Sequence, residues 1–154
     1  MRKRMARVAL LVVAVGAMAA LVACGGSDDK KESGSSSSSA SSSSGGSIKV
    51  ELSEWAVKPA ATSAKAGDVK FEVTNKGAAP HEFVVIKTDT AQDKLPVTNG
   101  AVDEKQVPPV GRTANIAAGK EEDKSFNLTA GKYVLLCNIP AHYGQGMHVA
   151  FTVE

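Results

Sequence analysis

Residues 124–153 read KSFNLTAGKYVLLCNIPAHYGQGMHVAFTV, and the pattern within this stretch decides the fold. Polar and apolar residues alternate in residues 124–128 and again in residues 147–153, which is typical of strands with one buried face. Residues 132–137 form a mostly apolar run that follows the turn signal Thr-Ala-Gly at 129–131. The stretch therefore predicts three short strands rather than a helix.

The same strand pattern extends toward the N-terminus. Residues 48–52 and 68–74 alternate between apolar and polar, and residues 82–87 form an apolar run typical of a strand covered on both faces. Five to eight short strands separated by Gly and Pro turns, within the 107 residues from 48 to 154, predict an all-β, Greek-key β-sandwich of about seven or eight strands. Residues 89–119 contain three prolines and are the least regular, so we expect a long connection there.

Three further placements follow from the pattern. The spacing Leu128-x-x-Gly131-x-Tyr133 resembles a tyrosine corner, a feature of Greek-key sandwiches. Trp55 is large and mostly apolar, and we expect it in the core. The acidic run at 121–123 is expected to be a solvated turn rather than a docking patch.

Residues 1–23 are typical of an export signal. A basic start precedes fifteen uncharged residues, 8–22, which is fewer than the roughly 20 that a membrane-spanning helix needs. Residues 21–24, Leu-Val-Ala-Cys, resemble the lipobox of bacterial lipoproteins, and that resemblance implies lipidation of Cys24 after cleavage. An uncleaved anchor and an ordinary cleavage site with a chance Cys are the alternatives.

Residues 24–47 are predicted to be the lipidated Cys and a flexible tether. Eleven of the fifteen residues from 33 to 47 are Ser and the rest are Gly or Ala, so this segment has little apolar surface to bury. The predicted organisation is therefore a lipoprotein signal peptide at 1–23, the tether at 24–47 and one folded domain at 48–154.

The composition of the domain excludes several classes of function. The whole chain carries 18 basic and 16 acidic residues, but residues 48–154 carry twelve basic and thirteen acidic ones, a net charge of −1. A domain without a basic surplus is not expected to bind nucleic acid. Two cysteines exclude a disulfide-rich scaffold, and three histidines exclude a metal site that needs many imidazoles.

A set of metal-binding residue types lies between the last two predicted strands. Cys137, His142 and Met147 follow one another as Cys-x4-His-x4-Met. Thiolate, imidazole and thioether are ligands that suit copper, and one Cys, two His and a distant axial Met make up the blue-copper set. His81, at the start of the strand at 82–87, is available as the second imidazole.

Two residues near this set have other interpretations. A buried, inert core Cys is the alternative for Cys137, although a lone free thiol is unusual in an exported protein. His148 directly follows Met147, and successive side chains of a strand point to opposite faces, so we expect His148 to face away from a metal.

The chain resembles the cupredoxins, the plastocyanin, azurin and pseudoazurin family of small blue copper proteins, over residues 48–154. The resemblance is most specific at residues 75–83 and 137–147, and the spacing of the latter is similar to that of rusticyanin and sulfocyanin. It implies a cupredoxin-like sandwich with one type 1 copper ion and metal ligands at His81, Cys137, His142 and Met147. Many relatives have Asn or Ser after the first His ligand, where this sequence has Glu82.

The resemblance also implies a function. It suggests an electron carrier that passes single electrons between transiently bound protein redox partners. The exported domain would be held by its lipid anchor at the extracytoplasmic face of the cell membrane, and we expect a monomer. In relatives the second His ligand lies near the surface within an apolar rim, for which Ile139, Pro140, Ala141 and Tyr143 are the matching residues here.

Other functions are weighed by counting ligands. Copper enzymes of related fold need a second copper centre, and only one His remains after His81 and His142 are used, so we expect no enzyme. Copper storage or delivery is the main alternative, although such proteins usually carry open clusters of Met or His and this domain has one Met. A domain that keeps the fold only for adhesion is a third possibility.

Overall fold

The computed structural model describes residues 42–43 and 46–154, which form an all-β domain. In chain order its strands are β1 (Ser42–Ser43), β2 (Ile48–Ser53), β3 (Ala56–Pro59), β4 (Ser63–Ala64), β5 (Gly67–Asn75), β6 (Val84–Lys87), β7 (Val97–Thr98), β8 (Ala101–Val102), β9 (Pro109–Arg112), β10 (Glu121–Leu128), β11 (Gly131–Leu136) and β12 (His148–Val153). A short 3-10 helix, Tyr143–Gln145, precedes β12.

The strands form two main sheets. One sheet has the order β1-β4-β12-β11-β6-β9, the other has the order β10-β5-β2-β3, and β7 and β8 form a separate hairpin. Most neighbours are antiparallel, but β2 pairs with β5 in parallel, and β4 pairs in parallel with both β12 and β1, so the chain crosses between the sheets. The observed fold is the predicted all-β, Greek-key β-sandwich, and eight strands of the described part have four or more residues.

The core lies between the two main sheets and is built from the alternating residues of each strand. In β5 the buried apolar residues are Val69, Phe71 and Val73, as the period-2 pattern predicts. The Phe71 ring is fully buried and lies 5.1 Å from the Phe83 ring and 5.8 Å from the Phe151 ring. These aromatic contacts join strands of both sheets, so burial of the phenylalanines holds the layers together.

A second, smaller core covers the other face of the larger sheet. Residues from the connection at 88–107 pack there against alternate residues of β6 and β11, and the cluster comprises Val84, Ile86, Leu95, Val102, Val134, Leu136 and Tyr143. Both faces of β6 are therefore buried, which confirms the interpretation of its continuous apolar run.

Three details of the sequence interpretation are corrected. The acidic run at 121–123 is not a turn but the start of β10, an outer strand of its sheet whose charged side chains face solvent. The connection at 89–119 contains three short strands, of which β9 includes Gly111, where a side chain would collide with the Phe126 ring. Trp55 is 46 % exposed rather than in the core, because it lies in the turn between β2 and β3.

The N-terminal predictions mostly fall outside the described residues. The signal peptide at 1–23 and Cys24 lie in the part that the structure does not describe. Within the predicted tether, Ser42–Ser43 pair in parallel with Ser63–Ala64. None of the helices in residues 42–43 and 46–154 has the length and apolar character needed to cross a membrane.

Tyr133→Phe should destabilise the domain while leaving any metal site intact. The Tyr133 hydroxyl donates a hydrogen bond to the Thr129 carbonyl at 2.7 Å, which confirms the predicted tyrosine corner. Removing this donor should lower the free energy of unfolding by about 1 kcal/mol, as for other single buried hydrogen bonds. Urea titration of the metal-free protein measures this change, and equal midpoints for the variant and the wild type would contradict it.

Candidate metal centre

The four predicted ligand residues come together because the end of β11 and the starts of β6 and β12 lie at the same end of the larger sheet. Strand β11 lies between β6 and β12, and Leu136 pairs with Val84 on one side and with His148 on the other. Cys137 directly follows β11 and Met147 directly precedes β12, so the two are neighbours across the sheet. The Cys137 N–H donates to the Met147 carbonyl at 3.0 Å.

Three donor atoms converge at this edge. One ligand atom each of His81, Cys137 and His142 lies within 4.8 Å of those of the other two. The Nδ1 atoms of the two histidines are 3.2 Å apart, and Cys137 Sγ lies 3.4 Å from His142 Nδ1. His81 and Cys137 are fully buried, whereas His142 is half-buried.

The loop from Cys137 to Met147 is held by its own backbone. The Met147 N–H donates to the His142 carbonyl at 3.2 Å, and the His142 N–H donates to the Ile139 carbonyl at 3.0 Å. Gly146 has φ 104°, a conformation that Gly adopts without strain, and the short helix ends there. Met147 is fully buried at the end of this loop, next to Cys137.

A buried asparagine holds the segment that precedes His81. The Asn75 amide donates to the carbonyls of Ala79 and Ile116, both at 2.8 Å, and accepts from the Gly77 N–H. His81 and Ile116 exchange backbone hydrogen bonds in an isolated bridge. This part of the sequence predicted only a turn, and the structure shows that Asn75 fixes the approach to the histidine.

Burial sets the protonation of the two buried donors. Burial, followed by the neighbouring His142 ring, lowers the pKa of His81, so the neutral imidazole that binds metals is favoured. Burial raises the pKa of the Cys137 thiol, and hydrogen bonds from the N–H groups of Glu82 and Ile139 oppose this rise. A metal that binds here must therefore displace the thiol proton.

The turn between β2 and β3 lies against both histidines. Glu54 Oε1 accepts hydrogen bonds from the N–H groups of Ala78 and Ala79, both at 2.7 Å, and lies 3.5 Å from His81 Nε2. The Trp55 ring meets the His142 ring edge-on at 5.2 Å. The sequence interpretation missed Glu54, because no local pattern connects it with a histidine 27 residues away.

A charged network involves Glu82 and Asn138, the residues that directly follow His81 and Cys137. The buried Glu82 carboxylate is 3.7 Å from Arg112, which also pairs with Glu104. The Asn138 amide donates to Glu104 at 2.7 Å and exchanges hydrogen bonds with Val102. Burial raises the pKa of Glu82, and Arg112 opposes this shift. The departure from relatives at Glu82 is thus accommodated by an arginine, and Asn138 binds the β7–β8 hairpin.

Two other sequence predictions have different outcomes. His148 is not part of the donor cluster, and its ring lies 4.8 Å from the Tyr143 ring, as expected for a side chain that faces away. Tyr143 is not in an apolar rim around His142 but is buried in the smaller core. Its hydroxyl accepts from the Leu95 N–H and donates to the Gln92 carbonyl. Of the other predicted rim residues, Pro140 and Ala141 are exposed and Ile139 is half-buried.

The donor set fits copper. His142 Nδ1 is directed toward His81 Nδ1 and Cys137 Sγ, so that two imidazoles and one thiol point at the same place. Two nitrogen donors and one sulfur donor, with a buried thioether nearby, are the donors of type 1 copper sites. The cofactor is one type 1 copper ion.

Solved structures share this fold. Auracyanin from Roseiflexus castenholzii matches with a TM-score of 0.54 and 24% identity over 69% of this chain and 94% of that one. Auracyanin A from Chloroflexus aurantiacus, described as a "blue" copper protein, matches with a TM-score of 0.52 and 20% identity over 71% and 100% of the two chains. Rusticyanin from Thiobacillus ferrooxidans matches with a TM-score of 0.50 and 22% identity over 73% and 80%.

The sequence comparisons define the family. A search of curated proteins found no match. The family described as copper binding proteins, plastocyanin/azurin family, matches residues 44–154, which include the whole donor cluster and every strand of both main sheets except β1. The chain therefore belongs to the plastocyanin/azurin family of copper-binding proteins, the cupredoxins.

Proposed function

We propose that this chain carries single electrons between protein redox partners, with copper bound by His81, Cys137, His142 and Met147. The observation that carries the proposal is the convergence of one thiol and two imidazole nitrogens, at 3.4 and 3.2 Å, from two separate segments of the chain, the residues before β6 and the loop from Cys137 to Met147. A copper ion bound there supplies the one-electron couple Cu(I)/Cu(II).

The contribution of the chain is to hold the donors in place and to exclude water. His81, Cys137 and Met147 have no exposed surface, so solvent reaches the site mainly past the half-buried His142. Backbone hydrogen bonds fix the position of each donor residue. A site that is already arranged needs little movement when its charge changes by one unit, which favours fast electron transfer.

His142 is the proposed point of contact with partners. It is the most exposed of the four residues. Its ring meets the exposed Trp55 edge-on, and the exposed Pro140 and Ala141 directly precede it in the loop. A small, mainly apolar surface of this kind supports weak and brief association rather than a permanent complex. Transient docking is what an electron carrier with two alternating partners requires.

The donor count argues against the alternatives. A copper store or delivery protein benefits from open, exchangeable thioether and imidazole groups, whereas three of these four residues are fully buried. An oxidase or nitrite reductase needs further imidazoles, and His148 is the one remaining histidine. We therefore favour electron transfer over storage and over catalysis.

We further propose that the domain is exported and held by a lipid on Cys24 at the extracytoplasmic face of the membrane. The lipobox-like sequence at 21–24 and the Ser-rich segment that follows it support this proposal. Two acyl chains anchor a protein stably, whereas a single chain gives only marginal binding.

Cys137→Ser should abolish an intense blue or green colour that the wild type develops with Cu(II). The colour requires a thiolate donor, and Ser preserves the size of the side chain. His142→Gln should also lose the normal spectrum, while the matched control His148→Gln should keep it. Absorption spectra and a reversible redox titration measure these outcomes. A colourless Cu(I) form that resists oxidation in the wild type would favour copper delivery instead.

Met147→Leu should keep the colour and raise the reduction potential. Leu fills a similar buried volume, but it replaces a weak sulfur donor with hydrocarbon, which favours the less charged Cu(I) state. Potentiometric titration of the variant and the wild type gives the shift. An unchanged potential would mean that Met147 is not an axial ligand.

Cys24→Ala should release the protein from the membrane. In a bacterial host supplied with radiolabelled palmitate, the wild type should be labelled and should sediment with membranes, whereas the variant should be unlabelled. Cys137→Ser is the matched control, because it removes the other cysteine of the chain and should stay labelled. Absence of label from the wild type would contradict lipidation.

A further inference from the structure

We propose that Glu54 is a positioning residue for the copper ligand His81: its carboxylate orients the ring through Nε2 and its charge lowers the reduction potential of the site. This proposal rests on the copper site proposed above. Glu54 lies in the turn between β2 and β3, in the sheet that does not carry the ligands, 27 residues before His81.

The first observation is a buried ring nitrogen that lacks a hydrogen bond. His81 Nδ1 faces His142 and the donor cluster, whereas Nε2 is fully buried and makes no hydrogen bond in the described part of the chain. Glu54 Oε1 lies 3.5 Å from Nε2. Buried polar atoms nearly always have a partner, and the carboxylate oxygen is in position to become that partner.

The second observation is that the carboxylate is held in place independently of the histidine. Oε1 accepts two backbone hydrogen bonds, from Ala78 and Ala79, each 2.7 Å long. These residues belong to the loop that leads to His81. Glu54 therefore fixes the loop and contacts the ring with the same oxygen atom.

The third observation is that the loop leaves room for the carboxylate at a glycine. A Cβ atom added to Gly77 would lie 2.6 Å from Glu54 Oε2 and 2.7 Å from Oε1, closer than real atoms approach. The φ angle of Gly77 is not in the left-handed region, so its backbone does not itself require Gly. The absence of a side chain at Gly77 is thus explained by the approach of Glu54.

The arrangement has a consequence for the tautomer of His81. A carboxylate beside Nε2 favours the form with the proton on Nε2, which leaves the Nδ1 lone pair free toward the donor cluster. Carboxylate partners of this kind fix the orientation of a ligating ring, and their loss typically reduces metal affinity about 10- to 100-fold.

The arrangement also has a consequence for the potential. A negative charge close to the metal stabilises Cu(II) more than Cu(I), because Cu(II) carries the larger positive charge. Loss of this charge should therefore favour reduction and raise the potential. We expect a change on the order of tenfold in the Cu(II)/Cu(I) equilibrium, which corresponds to about 59 mV for a one-electron couple.

The proposal is tested first without copper, by NMR of the ¹⁵N-labelled protein at neutral pH. The His81 ring of the wild type should show the tautomer protonated at Nε2, and Glu54→Ala should lose this preference. A wild-type ring protonated at Nδ1 would overturn the proposal. Because this measurement uses no metal, it is independent of the proposed electron-transfer function.

The second test compares reduction potentials. Glu54→Gln keeps an oxygen acceptor for the two N–H groups and removes the charge, whereas the control Glu51→Gln removes the same charge from an exposed position on β2. For Glu54→Gln the reduction potential should rise by about 59 mV, which is a tenfold change in the Cu(II)/Cu(I) equilibrium. For Glu51→Gln it should hardly change. Equal shifts in potential for the two variants would overturn the role of Glu54. A blue wild type would still support the copper site in that case.

A third variant tests the geometry without altering either side chain. Gly77→Ala should displace the carboxylate and shift the potential upward, and it should have no further effect when combined with Glu54→Gln. Additive effects of the two substitutions would overturn the proposal. A wild type that does not bind copper would instead refute the proposed function and leave the tautomer measurement to decide the role of Glu54.

Discussion

The structure depends on the register of three adjacent strands, β6, β11 and β12. Leu135 in the central strand pairs with Val85 and Val149, and this row faces the main core, while the next row at Leu136 faces the smaller core. A slip of one residue would exchange the two faces and would bury the wrong side chains on both sides at once. Burial of apolar groups thus fixes the positions of the strand ends, and the distances between the metal donors follow from them.

This origin explains why the donors converge in a chain whose ligands are far apart in sequence. His81 and His142 are separated by 61 residues, yet their Nδ1 atoms lie 3.2 Å apart. Burial of the apolar cores supplies the folding free energy. This free energy offsets the cost of burying the polar donor atoms. Burial then disfavours charge on the His81 ring and on the Cys137 thiol, so both stay neutral until a cation binds.

The sequence predicted those features that depend on local periodicity or on residue type. Alternation predicted β5 and β12, and an apolar run after a turn predicted β11. The donor types predicted His81, Cys137 and His142 as a cluster. The start of β10 was missed because its charged side chains look like a loop, although charge is common on outer strands that must not pair further.

The features that the sequence could not predict depend on contacts between distant segments. Trp55 was expected in the core from its apolar surface, but its turn carries it to the His142 ring, 87 residues later in the chain. The pairing of Glu82 with Arg112 and the hydrogen bond between Asn138 and Glu104 join segments about 30 residues apart in the same way. No period or motif marks such pairs before the sheets are assembled.

The packing between the two sheets therefore also determines the positions of the residues around the metal centre. The predicted ligands lie in loops at one end of the larger sheet, but Asn75, Glu54 and Trp55, which contact them or their loops, belong to the other sheet or its turn. Phe83, two residues after His81, packs against Phe71 of that other sheet at 5.1 Å. Since close-packed interiors transmit small displacements, a substitution in this aromatic contact would move the two sheets and the partners of both histidines together.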